Sequence, residues 1–320
     1  MERIFQQARD RGGTYLAERF RASRGEILAS AGEYYKLPAA FLVTGRTAEA
    51  ACVLDWVRAE GMLVDGDIGP RPGATRGYYH TYYNVWIIQG AQRMGMFDIA
   101  QRGASFVARS WDADSGGFYS SITETGPEVL EDLWVTCGAG QSMLYANRLE
   151  IARGAGRWLE RLMHLQPDYP ARLYAVYSRE EGVHTQYPPE EEVRFVLDPS
   201  RDRDEYFFNP GIAGGFLASL SRATGESRWR DLAEEYMRQC EVACETQFRS
   251  LRAGKVGWAA SQLYRLTGRE KYRQYAERVG RNLIASQAAD GAWKPEFMSW
   301  IDATAEMVVW LDEISQALET

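Results

Sequence analysis

Apolar residues return every three to four positions through the stretch 248–293. Val256, Trp258, Ala259, Leu263 and Leu266 form one helical stripe, Thr267-Gly268-Arg269 makes a turn, and a second helix is predicted over 270–286. The stretch closes on a loop, Gln287-Ala288-Ala289-Asp290-Gly291-Ala292-Trp293. A helical hairpin of this kind cannot bury its apolar face alone, so it must stack on neighbours. The same pattern recurs along the chain. Helices are predicted over 33–43 and 47–60 around Thr44-Gly45-Arg46, and over 80–94 and 96–111 around Gly95. Further pairs are predicted over 130–147 and 149–165 with almost no linker, and over 207–223 and 227–244 around Gly225. Single helices over 3–24, ended by Gly25, and over 300–318 remain unpaired, and pairing them closes the array on itself. Turns roughly 45 to 50 residues apart fit a helical repeat, and a ring needs no capping repeats.

One interval breaks the pattern. Alternation in 172–177 and 193–197 predicts two short strands, with Pro188-Pro189 and Glu190-Glu191-Glu192 as a solvated tip, so 167–205 reads as a β-hairpin flap inserted in a single domain spanning 1–320. The fold class expected is therefore all-α, six helical hairpins in a ring with a small flap.

Composition narrows the function. A net charge of −7 and 37 Lys and Arg against 44 Asp and Glu argue against phosphate-backbone binding, so nucleic acid is not an expected partner. No apolar run is long enough to span a bilayer and no signal-like start is seen, which predicts a cytoplasmic protein. The 10 Trp and 18 Tyr suit a pocket wall that is apolar with polar edges. Cys52, Cys137, Cys240 and Cys244 read as structural thiols, with no metal site and no cofactor motif. The partner expected is a small-molecule substrate, and the oligomeric state is open.

With six hairpins and closed ends, the chain resembles the (α/α)6 toroids, a group that includes six-hairpin glycosidases, uronyl hydrolases, sugar 2-epimerases and squalene-cyclase-like proteins. The loops Asp112 to Tyr119 and Gln287 to Trp293 are similar to Asp-Gly-Gly-Phe-Tyr and Gln-Asp-Gly-Trp loops of several such families. In such a ring the inner helices begin around one cavity. This gathers Glu33, Tyr34, Tyr35 and Lys36; His80, Tyr82, Tyr83 and Asn84; Glu131, Asp132 and Trp134; Tyr206, Phe207 and Asn209; Lys255 and Trp258; and Trp300 and Asp302. It also places the loop 287–293 on the cavity rim.

Glu131 and Asp132 point about 100° apart on a helix, so only one faces the cavity. Asp132 is the preferred acid, because Glu131-Asp132-Leu133-Trp134 is similar to the Asp-Asp-Leu-aromatic segment of unsaturated uronyl hydrolases. Its alternative role is an ordinary acidic first turn. Asp302 is the expected second carboxylate, with Asp112 or Asp114 in reserve. His80 is a further candidate base, while His164 and His184 read as structural. Tyr34, Tyr35, Tyr78, Tyr79, Tyr82 and Tyr83 would stack on a ligand or fill the core. Three functions follow: a carbohydrate-active hydrolase or epimerase working by carboxylate or His proton transfer, an isomerase or cyclase of an apolar precursor, or a non-catalytic binding toroid.

Overall fold

The computed structural model describes residues 3–71, 79–203 and 205–319, so Tyr78 lies outside the described residues. The helices in chain order are α1 (Ile4–Leu28), α2 (Ala31–Tyr34), α3 (Leu37–Val43), α4 (Thr47–Trp56), α5 (Tyr82–Met94), α6 (Phe97–Val107), α7 (Leu133–Tyr145), α8 (Leu149–His164), α9 (Pro189–Phe195), α10 (Phe208–Thr224), α11 (Ser227–Val242), α12 (Gly254–Thr267), α13 (Glu270–Ala285) and α14 (Trp300–Leu318). The fold is an (α/α)6 toroid. Inner helices α3, α5, α7, α10, α12 and α14 each contact the next, and α14 returns to α3. Outer helices α4, α6, α8, α11, α13 and α1 each pack on the inner helix that precedes them, with α14 preceding α1. The inner helices are buried almost all round, as α10 shows from Phe208 to Leu220, whereas outer helices keep a charged face in solvent.

Each inner helix turns into its outer partner through one residue at positive φ: Gly45, Gly95, Asn147, Gly225 and Gly268. Asn147, at φ 58, occupies the hairpin turn that lacks glycine, and asparagine tolerates this region better than most residues. The sixth turn is made without a covalent link. The Glu319 carboxylate accepts from the Phe5 and Gln6 amides at 3.0 and 3.2 Å, capping the start of α1, and Arg9 pairs with Asp312 at 2.6 Å.

Several helix predictions need correction, among them 130–147, which starts only at Leu133 because Glu131 and Asp132 form a short strand and so are not related by helical geometry. α1 continues through Gly25 to Leu28, with Ser23 at φ −134 marking a kink. Pro38, lacking an amide hydrogen, sits in the first turn of a new helix, and the predicted 33–43 helix divides into α2 and α3. α4 ends at Trp56 in a π-helical turn, Val57–Gly61.

The flap is more elaborate than a hairpin. Strands β2 (Leu173–Tyr174) and β5 (Val196–Leu197) pair antiparallel, with Leu173 opposite Leu197. β1 (Glu131–Asp132), β3 (Val176–Ser178) and β4 (Gly182–Val183) form a second sheet that ties the flap to the start of α7. The expected solvated tip is instead the helix α9. Pro189 fits its first position, and Glu190, Glu191 and Glu192 favour the positive end of its dipole.

The glycine loops have a common structural task. Gly66, Gly116 and Gly291 sit at φ 92, 88 and 89, and a Cβ there would lie 2.4, 2.4 and 2.7 Å from the carbonyl oxygens of Arg102, Gly154 and Arg11. Those carbonyls belong to α6, α8 and α1, the outer helix next along the chain or across the closure. Two residues later Ile68, Phe118 and Trp293 are fully buried. Phe118 and Trp293 donate their amides to hydroxyls on the following inner helix, Thr136 at 3.1 Å and Thr304 at 3.0 Å. Only glycine permits so close an approach at this φ, so these loops staple one hairpin to the next. The loop 287–293 is therefore not rim: Trp293 is core, and Gln287 Nε2 donates to Ala8 O on α1.

Candidate active site

The beginnings of the six inner positions surround a cavity of about 570 Å³. The segment before α3 contributes Glu33, Tyr35 and Lys36, α5 contributes Tyr82 and Tyr83 with Tyr79 just before it, and α7 contributes Trp134. Tyr206 and Phe208 come from the start of α10, Arg252 and Lys255 from that of α12, and Asp302, Glu306 and Met307 from α14. The flap adds Arg194 of α9. The walls are aromatic. Tyr35 stacks on Tyr83 with centroids 4.2 Å apart, and Trp134 meets Tyr79, Phe208 and Tyr82 at 4.2, 4.8 and 5.0 Å. Tyr79 has φ 62, a left-handed backbone unusual for a tyrosine and held here at the cavity wall.

The floor is charged. Lys36 Nζ lies 2.7 Å from Asp302 Oδ1 and 2.5 Å from Glu306 Oε2, and Lys255 Nζ pairs with Glu306 Oε1. Trp310 Nε1 also donates to Glu306, at 3.1 Å. Two ammonium groups balance two carboxylates, which is what allows four charges to be held away from water. Burial opposes the ionised form of all four. Lys255 and Lys36 outweigh it at Glu306, which is held well below the usual carboxylate range. Burial prevails at Asp302, whose pKa is raised despite Lys36 and with the Glu306 charge adding to the effect. Both lysines are raised, burial being outweighed by their carboxylate partners, so they stay protonated and serve as charges rather than nucleophiles. Side-chain exposure is 14% for Asp302 against 8% for Glu306 and 2% for Lys36, so Asp302 is the carboxylate of the cluster most open to a ligand.

Several expected site residues lie elsewhere. Asp132 is not part of the cavity lining; its carboxylate caps α7, accepting from the Val135 amide at 3.0 Å. Asp132→Ala is therefore expected to lower stability by about 0.5–2 kcal/mol and Asp132→Asn to retain most of it, measured by urea denaturation. Equal stability of all three proteins would remove the capping role. Glu131 is buried beneath the loop that carries Gly116, accepting from Ser115 Oγ at 2.5 Å and from Trp158 Nε1. Burial lifts its pKa to about 7. Asp112, the reserve carboxylate, is tied to Tyr119 OH at 2.8 Å and Arg179 Nε at 2.7 Å. The reading of His80 as a cavity-facing base is corrected: the ring is buried, with Nε2 2.6 Å from Asp67 Oδ2. Asp67 and Asn84 share Arg71 at 2.5 Å each, so His80 and Asn84 belong to one network bracing the 61–71 loop.

Among the aromatics, Tyr35, Tyr83, Trp134 and Tyr206 line the cavity. Tyr34 does not; its hydroxyl donates to Gly69 O at 2.7 Å inside the core. Phe207 is fully buried and Asn209 nearly so, while the neighbouring Phe208 takes the wall position. Trp258 stacks on Trp310 at 5.3 Å and lines a separate cavity of about 40 Å³ further along the inner helices. Trp300 is half exposed beside Lys294, outside the cavity. Glu306, Phe208, Arg194 and Arg252 were not expected from the sequence. Glu306 had a legible signal, since it falls four residues after Asp302 on a helix otherwise apolar at its centre, the same face by helical geometry.

Among the described residues no helix is long and apolar enough to cross a membrane. No protein-family model matches the sequence, and no curated protein matches it. Solved structures do. A D-mannose isomerase superposes with TM-score 0.70 at 12% identity, covering 91% of this chain and 87% of that one. The GH76A α-1,6-mannanase of Salegentibacter sp. HEL1_6 gives 0.68 at 11% identity, with 98% and 99% covered. An unsaturated glucuronyl hydrolase specific for heparin gives 0.67 at 10% identity, with 98% and 97% covered. At these identities the likeness is one of fold, and the chain is an (α/α)6 toroid of the six-hairpin kind.

Proposed function

We propose that the protein is a carbohydrate-active enzyme, a glycoside or uronide hydrolase or a sugar epimerase or isomerase, in which Asp302 transfers the proton. The observation that carries this is the Asp302–Lys36–Glu306–Lys255 cluster on the floor of an aromatic-walled cavity. Two carboxylates on one helix face are pushed in opposite directions, Glu306 kept ionised and Asp302 drawn towards its protonated form, which is the arrangement that separates an acid–base group from a fixed charge. A single ammonium between them draws their nearer oxygens closer than the roughly 6.5–9.5 Å at which inverting glycosidases seat a water. Within a hydrolase this favours an acid held by a neighbouring charge over a widely spaced pair. Sugars also suit the walls, since pyranose faces stack on Tyr and Trp while their hydroxyls replace water on the charged floor. A polyene would strip that floor of water and return no hydrogen bonds, which weighs against the cyclase reading. The folds resembled include a mannose isomerase, a mannanase and a glucuronyl hydrolase, which supports the class without choosing the reaction. The single domain would then carry residues 167–205 as an insertion bringing Arg194 to the cavity.

The test is a panel of free sugars, uronates and short oligosaccharides incubated with the protein in D2O and followed by proton NMR. Deuterium entering a sugar carbon marks an epimerase or isomerase, and a new reducing end marks a hydrolase. Absence of turnover and of binding across the panel, with an isoprenoid raising the melting temperature instead, would overturn the proposal.

A further inference from the structure

Two hollows meet beside the start of α14. Glu33, Met298 and Ser299 line the aromatic-walled cavity, and the same three residues line a second, open hollow bounded by Trp300 and by Tyr15 and Arg19 of the outer helix α1. Ser299 Oγ donates to Glu33 Oε2 at 2.5 Å, so the divide between the hollows is a hydrogen-bonded lip. That serine also accepts from the Ile301 amide at 3.2 Å, which ties the lip to the helix that carries Asp302.

Most aromatic rings of this protein are buried or half-buried. Among the described residues Phe97, Phe297 and Trp300 are the aromatic side chains left largely in water. Phe97 starts α6, at the end of the ring away from the cavity. The other two, 54% and 51% exposed, stand on either side of the lip, Phe297 in the cavity lining and Trp300 in the outer hollow. Lys294, paired with Asp290 at 2.6 Å, lies 4.9 Å over the Trp300 ring and steadies it. The hollow around the indole is polar, with Arg19, Glu33 and Glu296 also in its lining. An apolar chain laid there would strip these groups of water and return no hydrogen bonds, whereas a sugar offers an apolar face to the ring and hydroxyls to the charges. Trp300 and Asp302 stand two residues apart on α14, about 200° round a helix roughly 10–12 Å across. One pyranose is too small to touch both, and a chain of sugars crossing the lip reaches from one to the other.

We propose that the hollow at Trp300 is an outer saccharide subsite, where a distal ring of an oligosaccharide stacks on the indole while its reacting end lies at Asp302 in the cavity. This rests on the saccharide reading of the cavity and narrows the substrate from a free sugar to an oligosaccharide. Phe297 and the Glu33–Ser299 lip then guide the chain between the two positions.

Titration calorimetry tests this with three series of one to four rings, α-1,6-linked mannose, β-1,4-linked glucose and α-1,4-linked galacturonate, on the wild type, Trp300→Ala and Trp300→Phe. In at least one series the affinity of the wild type should rise about tenfold or more from the single sugar to the longest chain. Trp300→Ala should lower that ratio by about threefold to tenfold, the range for one stacked ring, and Trp300→Phe, which keeps a flat face, should retain most of it. A structural role would instead show as a lower melting temperature in both variants, and the chain-length series on the wild type needs no variant. Affinity that does not rise with chain length, or a rise that survives intact in Trp300→Ala, overturns the outer subsite while leaving the saccharide reading standing. Binding of no member of the three series overturns both.

Discussion

Glu306→Gln should cost about 3–5 kcal/mol of stability, because it removes the one carboxylate shared by two buried lysines. Lys255 would then be held among Phe208, Trp134, Tyr82 and Trp310, with ring centroids 5.1 to 5.9 Å away and no other carboxylate paired with it among the described residues. Ring faces attract a cation but do not replace a carboxylate. Without Glu306 the folded-state pKa of Lys255 should drop below its unfolded value. The folded protein then sheds that proton more readily, so the stability lost near neutral pH is partly regained as pH rises towards the unfolded lysine value. Urea unfolding at several pH values reads both effects. Adding Lys255→Met should recover part of the loss, since it removes the stranded charge, and the double-mutant cycle isolates the pair. A loss below about 1 kcal/mol that does not change with pH would mean that water reaches the cluster and screens it.

Asp302→Asn should reduce turnover of the saccharide identified by NMR by about 10²–10⁴-fold, the range for loss of a positioned proton-transfer group. The amide keeps the shape while removing the proton. Lys36 retains Glu306 as partner, so the fold should lose much less than it does in Glu306→Gln. The pH–rate profile gives the second readout. Burial raises the Asp302 pKa, so a step that needs its proton slows as pH rises through that raised value, and this limb should vanish in the variant. Turnover within about tenfold of wild type, with the limb intact, would pass the proton-transfer role to another group.

Helical periodicity and glycine turns were enough to lay out the ring, because each hairpin is a local pattern and closure follows from one unpaired helix at each end. Asn147 shows the limit of reading glycine alone, as it makes the same turn with a side chain. The cavity was half legible. Position at an inner-helix start placed Lys36, Tyr35, Trp134, Lys255 and Asp302 correctly at its wall. It misplaced Tyr34, His80 and Asn84, whose partners lie on the 61–71 loop, since no helical rule shows what a loop folds back upon. The acidic pair at 131–132 is a helix cap and a buried loop lock, while Glu306, one helical turn after Asp302, is the carboxylate that both buried lysines share.

The closure at Glu319 and the stapling glycines also govern how the molecule comes apart. In an open helical array the end repeats have one neighbour each, and loss of structure starts there. Here α1 is capped by Glu319 and stapled by the Gly291 loop, so the hairpin at the chain ends is flanked on both sides like the others. Detaching any one hairpin breaks two interfaces at once. The ring is therefore expected to open as one cooperative unit, and the floor of the cavity, which draws on the segment before α3 and on α12 and α14, has no end repeat beside it through which to loosen.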